Sequence, residues 1–396
     1  MIDLNVTDAM ISLIRTALRE ECSLSADDAE IIKSNLKEIY DISRRNDMAH
    51  IVGYALQKHG LVSPEEPVFA GFQKQQYLSM YRCEGMQYEI ARMRELFESE
   101  KIDFIFLKGS VIRELYPEGW MRTSSDIDVL VRSEDLDRAE AALLEKLSYK
   151  KGVVGDHDRS LHSEGGVHVE LHFTLIEDER ANLAREVLAE AWDHAKAIDE
   201  GKHEHQLSEA MFYFYHIAHM AKHVEYAGTG MRPFVDLWLI NKNEEINVEA
   251  RKELLSRCSL EGFAHLCDEL AEYWMEGGRS LSDTGKRFEV FILNCGIYGS
   301  EENRIAVSKN DGKGTVGYIF QRLFMPYSSL KKAYPILVKH KWLTPFCQMA
   351  RWFKLITGEK TKKAIEEIRI SSTTSEADVN NLQAFLGEIG LREIKK

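Results

Sequence analysis

The sequence predicts an α+β fold in which a small mixed β-sheet core is flanked by N-terminal and C-terminal helical regions. Two changes of texture carry that expectation. Residues 1–100 repeat apolar positions at helical spacing, as in Ala9-Met10-Ile11, Leu13-Ile14 and Ala17-Leu18, and again in Ile31-Ile32, Leu36 and Ile39. From Phe104 to Phe173 short apolar runs and alternating segments replace that period, and after about Leu207 the helical texture returns. Three regions follow: 1–100 helical, 101–205 the sheet-bearing core, and 206–396 helical.

Taken in order, Ser63-Pro64-Glu65-Glu66-Pro67 breaks the first region, and a long helix is expected from about Phe72 to Ser99. Phe104-Ile105-Phe106-Leu107 has no helical period and suits a buried strand. Asp126 to Val131 reads as a second strand, and Ser133 as the N-cap of a helix running through Leu147. Gly165-Gly166 lies between Arg159-Ser160-Leu161-His162 and Val167 to Phe173, a hairpin signature. Beyond Leu207 the helical pattern is interrupted near 228–230, 301–314 and 371–375.

The chain has 396 residues, 44% hydrophobic and 29% charged, in the range of globular proteins with a sizeable core. No apolar run approaches the roughly 20 residues that span a bilayer. The N-terminus, with Asp3 and Asp8 and no basic stretch before an apolar one, does not read as a signal peptide. Six scattered cysteines without Cys-x-x-Cys spacing fit a reduced, cytoplasmic protein without structural zinc. A net charge of −13 argues against a general nucleic-acid coat or a polymerase. Residues 315–363, however, hold ten Lys and Arg against Glu359 alone. That stretch reads either as a basic amphipathic region docked on an acidic body or as a patch for an anionic partner or membrane surface.

Chemistry concentrates in three places. Strand alternation puts Asp126 and Asp128 on one face, with Ile127 and Val129 on the other. His168, Glu170 and His172 likewise share a face opposite Val167, Val169, Leu171 and Phe173. Three carboxylates brought together repel one another unless a cation sits among them, and hard divalent cations take oxygen ligands. Two Mg²⁺ ions would neutralise a triphosphate, orient an attacking hydroxyl and stabilise leaving pyrophosphate. Gly109-Ser110 stands where a strand gives way to a helix, a turn that lets a phosphate approach the backbone. Lys108 and Arg122 are nearby cations that suit either phosphates or structural ion pairs.

With these residues in view, the chain resembles the nucleotidyltransferase superfamily of the DNA polymerase β type. The shared pattern is a hydrophobic strand into Gly-Ser, an Asp-x-Asp strand and a later carboxylate: here Phe104 to Ser110, Asp126/Asp128 and Glu170. More closely, it is similar to the bacterial family of uncharacterised nucleotidyltransferases, through Lys108-Gly109, Tyr116-Pro117, Arg122, Asp126-Ile127-Asp128 and Glu170-Leu171-His172. The likeness continues into His219, Lys222-His223, Arg232 and Asp236, and into Tyr334-Pro335 with Trp342 to Arg351, covering roughly residues 100–355. The fifteen residues between Ser110 and Asp126 exceed the spacing of minimal members and hold Tyr116 to Ser125, a candidate loop over the nucleotide.

The resemblance implies a Mg²⁺-dependent transfer of a nucleoside monophosphate from an NTP to an acceptor: a small molecule, a peptide, RNA or a protein. Asp126, Asp128 and Glu170 would be the catalytic and metal-binding residues, and Lys108, Gly109, Ser110 and Arg122 the nucleotide-binding ones. His216, His219 and His223 fall at i, i+3 and i+7 on one helix face. That spacing suits a transition metal or a polar cleft, and the missing cysteine ligand favours the cleft. His219, His223 and Arg232 are the candidate acceptor-side residues. Two rival readings stand beside transfer: a non-catalytic module binding a partner or anionic ligand, and a metal-dependent phosphohydrolase.

Overall fold

Five helices open the chain: α1 (Leu4–Leu18), α2 (Ala26–Ser34), α3 (Leu36–Arg45), α4 (Ala49–Lys58) and the 32-residue α5 (Phe69–Glu100). Asp3 and Ser25 cap α1 and α2 by accepting hydrogen bonds from the backbone N–H groups of Asn5 and Asp28. The computed structural model describes residues 3–155, 157–176, 184–278, 280–296, 299, 303, parts of 324–357, 369–370 and 375–392. They fall into two units, 1–222 with 230–297, and 223–229 with 298–396.

Lys101 ends α5 in the left-handed region (φ 54°) and turns the chain into the sheet. Seven strands follow: β1 (Phe104–Phe106), β2 (Asp126–Val131), β3 (Lys150–Val154), β4 (Asp158–His162), β5 (His168–His172), β6 (Ala195–Ala197) and β7 (Glu204–Leu207). Their order is β3-β4-β5-β2-β1-β7-β6. β2 pairs in parallel with β5 and antiparallel with β1, whereas β1 pairs in parallel with β7. The expected hairpin is present as antiparallel β4 and β5, with Gly166 at φ 79° in its turn. Strands β6 and β7 are short and partly polar, which hides them from a sequence pattern. A one-turn α6 (Gly109–Ile112) follows β1; the helix expected from Ser133 begins as a 3-10 turn (Ser133–Asp135), and α7 itself is Leu136–Lys146.

One face of the sheet is apolar. Ile127, Val129, Val131, Val169 and Leu171 are buried there against α5 (Met93, Phe97) and α7 (Ala139, Leu143). Alternation then sends Asp126 and Asp128 of β2, and His168, Glu170 and His172 of β5, to the opposite face. After the sheet come α9 (Glu209–Tyr226), α10 (Arg232–Ile240), α11 (Val248–Arg257), α12 (Glu261–Glu276) and α13 (Asp283–Cys295); α8 (Arg185–Leu188) precedes β6. The last turn of α9, from His223, belongs to the second unit. Among the described residues, no helix is long and apolar enough to cross a membrane.

The second unit has helices at Ile336–Lys339, Thr344–Thr357 and Glu376–Glu388, the last closed by a Ser375/Asp378 capping box. Leu330, Leu337 and Cys347 form a small core with Met325, Tyr327, Tyr334 and Leu343 packed on it. Of the basic stretch 315–363, residues 315–323, 326, 328–329, 332–333, 335 and 358–363 lie outside the described residues.

Because Leu171 is fully buried in the face that supports the site, Leu171→Ala should cost about 2–5 kcal/mol of stability. Urea denaturation of the intact chain checks this, and a change inside experimental error contradicts the packing described.

Candidate active site

Parallel pairing of β2 with β5 sets Asp126 opposite His168, Asp128 opposite Glu170 and Leu130 opposite His172. The three sequence-predicted carboxylates therefore meet on one face. Two overlapping groups result, Asp126–His168–Glu170 and Asp128–Glu170–His172, each with its ligand-capable atoms within 4.8 Å of one another. Glu170 belongs to both. Two carboxylates and an imidazole in each group form a donor set able to take a divalent cation.

Charge compensation differs between the two aspartates. Asp128 is only 3% exposed; its Oδ1 accepts from Lys108 Nζ at 2.8 Å and from His172 Nε2 at 2.9 Å. Burial opposes its ionisation, but the Lys108 charge and the His172 hydrogen bond outweigh that and hold its carboxyl well below the usual range. His172 shows the mirror effect. Burial disfavours its charged form, while hydrogen bonds to Asp128 and Glu170 raise its pKa. The His172 hydrogen bond in turn lowers Glu170. Asp126 shifts the other way, raised by burial and then by the charges of Asp128 and Glu170. A bound cation is what would relieve it, so the residues present fit a hard divalent metal.

The strand–Gly-Ser segment stands beside these groups. β1 continues to Leu107, whose N–H donates to the Asp128 carbonyl at 3.0 Å. Lys108 then takes a positive φ of 45°. The helix expected after it is a single turn, Gly109–Ile112, extended by a 3-10 turn to Leu115. A Cβ at Gly109 would lie 2.9 Å from Ser124 Cβ, so only glycine fits there without movement. Ser110 is buried, and its Oγ has no hydrogen-bond partner among the described residues. A ligand oxygen or a water could complete its bonding.

Arg122 sits differently. Its Nε donates to both oxygens of Asp236 (2.8 and 3.0 Å) and its Nη1 to the Thr123 carbonyl. Tyr116 donates to the same Asp236 at 2.8 Å. Arg232 donates to Asp47 at 2.6 Å, and Thr123 donates to that carboxylate too. The 116–124 segment is thereby tied to α10 and to the α3–α4 junction. Arg113, buried behind it, donates to the Gly109 carbonyl (2.9 Å) and to Ser124 Oγ (2.7 Å).

The three histidines of α9 have different surroundings. His216 is buried against the Pro233 carbonyl, 2.8 Å away; His219 stands beside Tyr215, ring centroids 6.4 Å apart; His223 falls in the second unit. Tyr215 is a functional candidate that sequence reasoning missed, and Lys222 one that it marked only through the family likeness. The Tyr215 hydroxyl, buried near Lys108 and Asp128, is pushed up by burial. Burial and then the Lys108 charge push Lys222 down to about 8. Tyr215, His219 and Lys222 recur at i, i+4 and i+7, the spacing that could have marked their shared face.

Replacing Arg122 by Met strands the buried Asp236 carboxylate and should cost about 3–5 kcal/mol. The Arg122 charge overcomes burial and depresses Asp236, so the pair's stabilisation is full above an unfolded value of about 3.9. It is lost as pH falls through the lower folded value. Urea midpoints of wild type and Arg122→Met should therefore converge on acidification and stand apart at neutral pH; a constant gap contradicts this linkage.

No curated protein and no solved structure matches the chain. A family described as uncharacterised nucleotidyltransferase matches residues 33–276. The match begins well before β1 and stops at the end of α12, short of the 334–351 segment that the sequence likeness had taken in. It spans more than half of the chain and includes the whole sheet. The chain belongs to the uncharacterised nucleotidyltransferase family.

Proposed function

We propose that the protein is a metal-dependent nucleotidyltransferase that moves a nucleoside monophosphate from an NTP to an acceptor. The observation that carries this reading is the β2–β5 register, which converges Asp126, Asp128 and Glu170 beside the strand–Gly109-Ser110 turn. Family membership supports the same class of reaction. The acceptor is a small molecule, peptide, RNA or protein with a free hydroxyl or phosphate.

In this reading Ser110 Oγ and the backbone at Gly109 take phosphate oxygens of the nucleotide. Asp126, Asp128 and Glu170 hold the divalent ion, Mg²⁺ by its match to carboxylate oxygens. When bound, that ion supplies charge neutralisation for the triphosphate. His172 orients Asp128 and keeps Glu170 ionised. Glu170 is then the group placed to accept the acceptor's proton. Arg122 and Arg232 frame the 116–124 loop from behind. The α9 face of Tyr215, His219 and Lys222 is the acceptor side. Six cysteines, none in a disulfide among the described residues and five of them buried, suit a reducing, cytoplasmic setting.

Calorimetry of the full chain with each NTP in Mg²⁺ tests the reading. Wild type should bind at least one NTP in a metal-dependent manner. Asp126→Asn should abolish transfer with the melting temperature retained, and Ser110→Ala should weaken the nucleotide by about tenfold, a lost hydrogen bond to charge. Full activity of Asp126→Asn, or silence with every NTP and Mg²⁺, overturns the assignment.

A further inference from the structure

We propose that the Thr344–Thr357 helix, with the 3-10 turn before it (Lys341–Leu343), seats the chain on an anionic lipid surface as a peripheral contact. Such anchoring is separate from the chemistry at the carboxylates and holds whichever acceptor they serve.

The helix is amphipathic in the reverse sense to a water-facing element. From Pro345 to Ala350 its exposed side chains are those of Pro345, Phe346, Met349 and Ala350, none of them polar. The polar residue of that turn, Gln348, lies inside instead. It is buried, and its Nε2 donates to the Met325 carbonyl at 2.6 Å. Cys347 beside it closes the small core with Leu330 and Leu337. The core side of the helix is therefore taken, and its apolar side chains remain on the outside.

Trp342 extends this outward face. It is 69% exposed, Phe346 61% and Met349 49%, and the three recur at i, i+4 and i+7. The rings of Trp342 and Phe346 meet edge to face, with centroids 6.3 Å apart. Single exposed apolar residues are ordinary, but a contiguous set on one face marks an interaction site.

Charge selects the partner. Lys339, His340 and Lys341 are exposed immediately before Trp342. Residues 324–357 carry six Lys and Arg and neither Asp nor Glu, in a chain of net charge −13. Apolar groups flanked by ammoniums, with a tryptophan at the boundary, match the headgroup–acyl boundary of a membrane that bears negative lipids. A nucleic acid would answer the same charges, but it stacks on aromatic rings, and Pro345, Met349 and Ala350 supply none. No described helix is long and apolar enough to cross a bilayer, so this contact stays at the surface.

Flotation of the full chain tests this, with vesicles of phosphatidylcholine alone or of phosphatidylcholine and phosphatidylglycerol in equal parts. Wild type should float with the mixed vesicles and not with phosphatidylcholine alone. Trp342→Ser with Phe346→Ser should lower binding at least about tenfold, through the loss of two aromatic side chains from the apolar phase. Lys339→Glu with Lys341→Glu should lower it as well. All four side chains are exposed, so both variants should keep the wild-type melting temperature. Where the serine pair lowers that temperature, the glutamate pair decides. Undiminished flotation of the deciding variant, no flotation of wild type, or equal flotation with phosphatidylcholine alone overturns the proposal. So does a wild type that does not float and instead binds labelled transfer RNA, or pairs with a second copy, through these residues.

Discussion

Carboxylates from two strands can act on one ion only if the strands share a register and a face. Here β2 and β5 run in parallel with Asp128 opposite Glu170, and that single register depends on the apolar side of the same strands. Ile127, Val129, Val169 and Leu171 are completely buried against α5 and α7. Because side chains alternate with period two, sliding either strand by one residue would expose these groups and turn the acids into the core. The packing on one face therefore fixes the chemistry on the other.

A carboxylate as buried as Asp128 could not remain ionised alone. Lys108 and His172 compensate it from opposite sides, one from the strand–turn segment and the other from the neighbouring strand pair. The Gly109-Ser110 turn is held in place from behind by Arg113 and by the 116–124 segment. That segment is anchored in turn by Arg122 on Asp236 and by the Asp47–Arg232 pair. Buried ion pairs contribute modest net stability, but breaking one is costly, which makes them effective at fixing position. The long interval between Ser110 and Asp126 thus forms a braced wall rather than a loose loop. The bracing reaches back to Asn46 and Asp47, which lie inside the span that matches the family, 33–276.

Much of this was legible in the sequence, and the rest was hidden for definite reasons. Alternation alone placed Asp126 with Asp128 and Glu170 with His168 and His172. β2 begins and ends at the residues the pattern marks, Asp126 and Val131. The strands β6 and β7 escaped because three or four residues of mixed polarity carry no period, and β7 earns its place by pairing with β1 across about a hundred residues. Arg122 and Asp236 are 114 residues apart, and no local pattern links them. Lys108 was recognisable as a cation near a phosphate turn, but its partner was not, because the antiparallel pairing of β1 with β2 is what brings Leu107-Lys108 up to Asp128. The α9 histidines show the limit of helical spacing: it reports a shared face, and His216 still turns to the Pro233 carbonyl.

The central claim is that the converging carboxylates serve transfer of a nucleotidyl group. It is tested most directly by incubating the protein and Mg²⁺ with a cell extract and NTP labelled either at the α- or at the γ-phosphate. The account predicts that α-label alone becomes covalently attached to an acceptor, with pyrophosphate released, and that Asp126→Asn abolishes the attachment. Release of label as free phosphate or nucleotide without any labelled acceptor would contradict it.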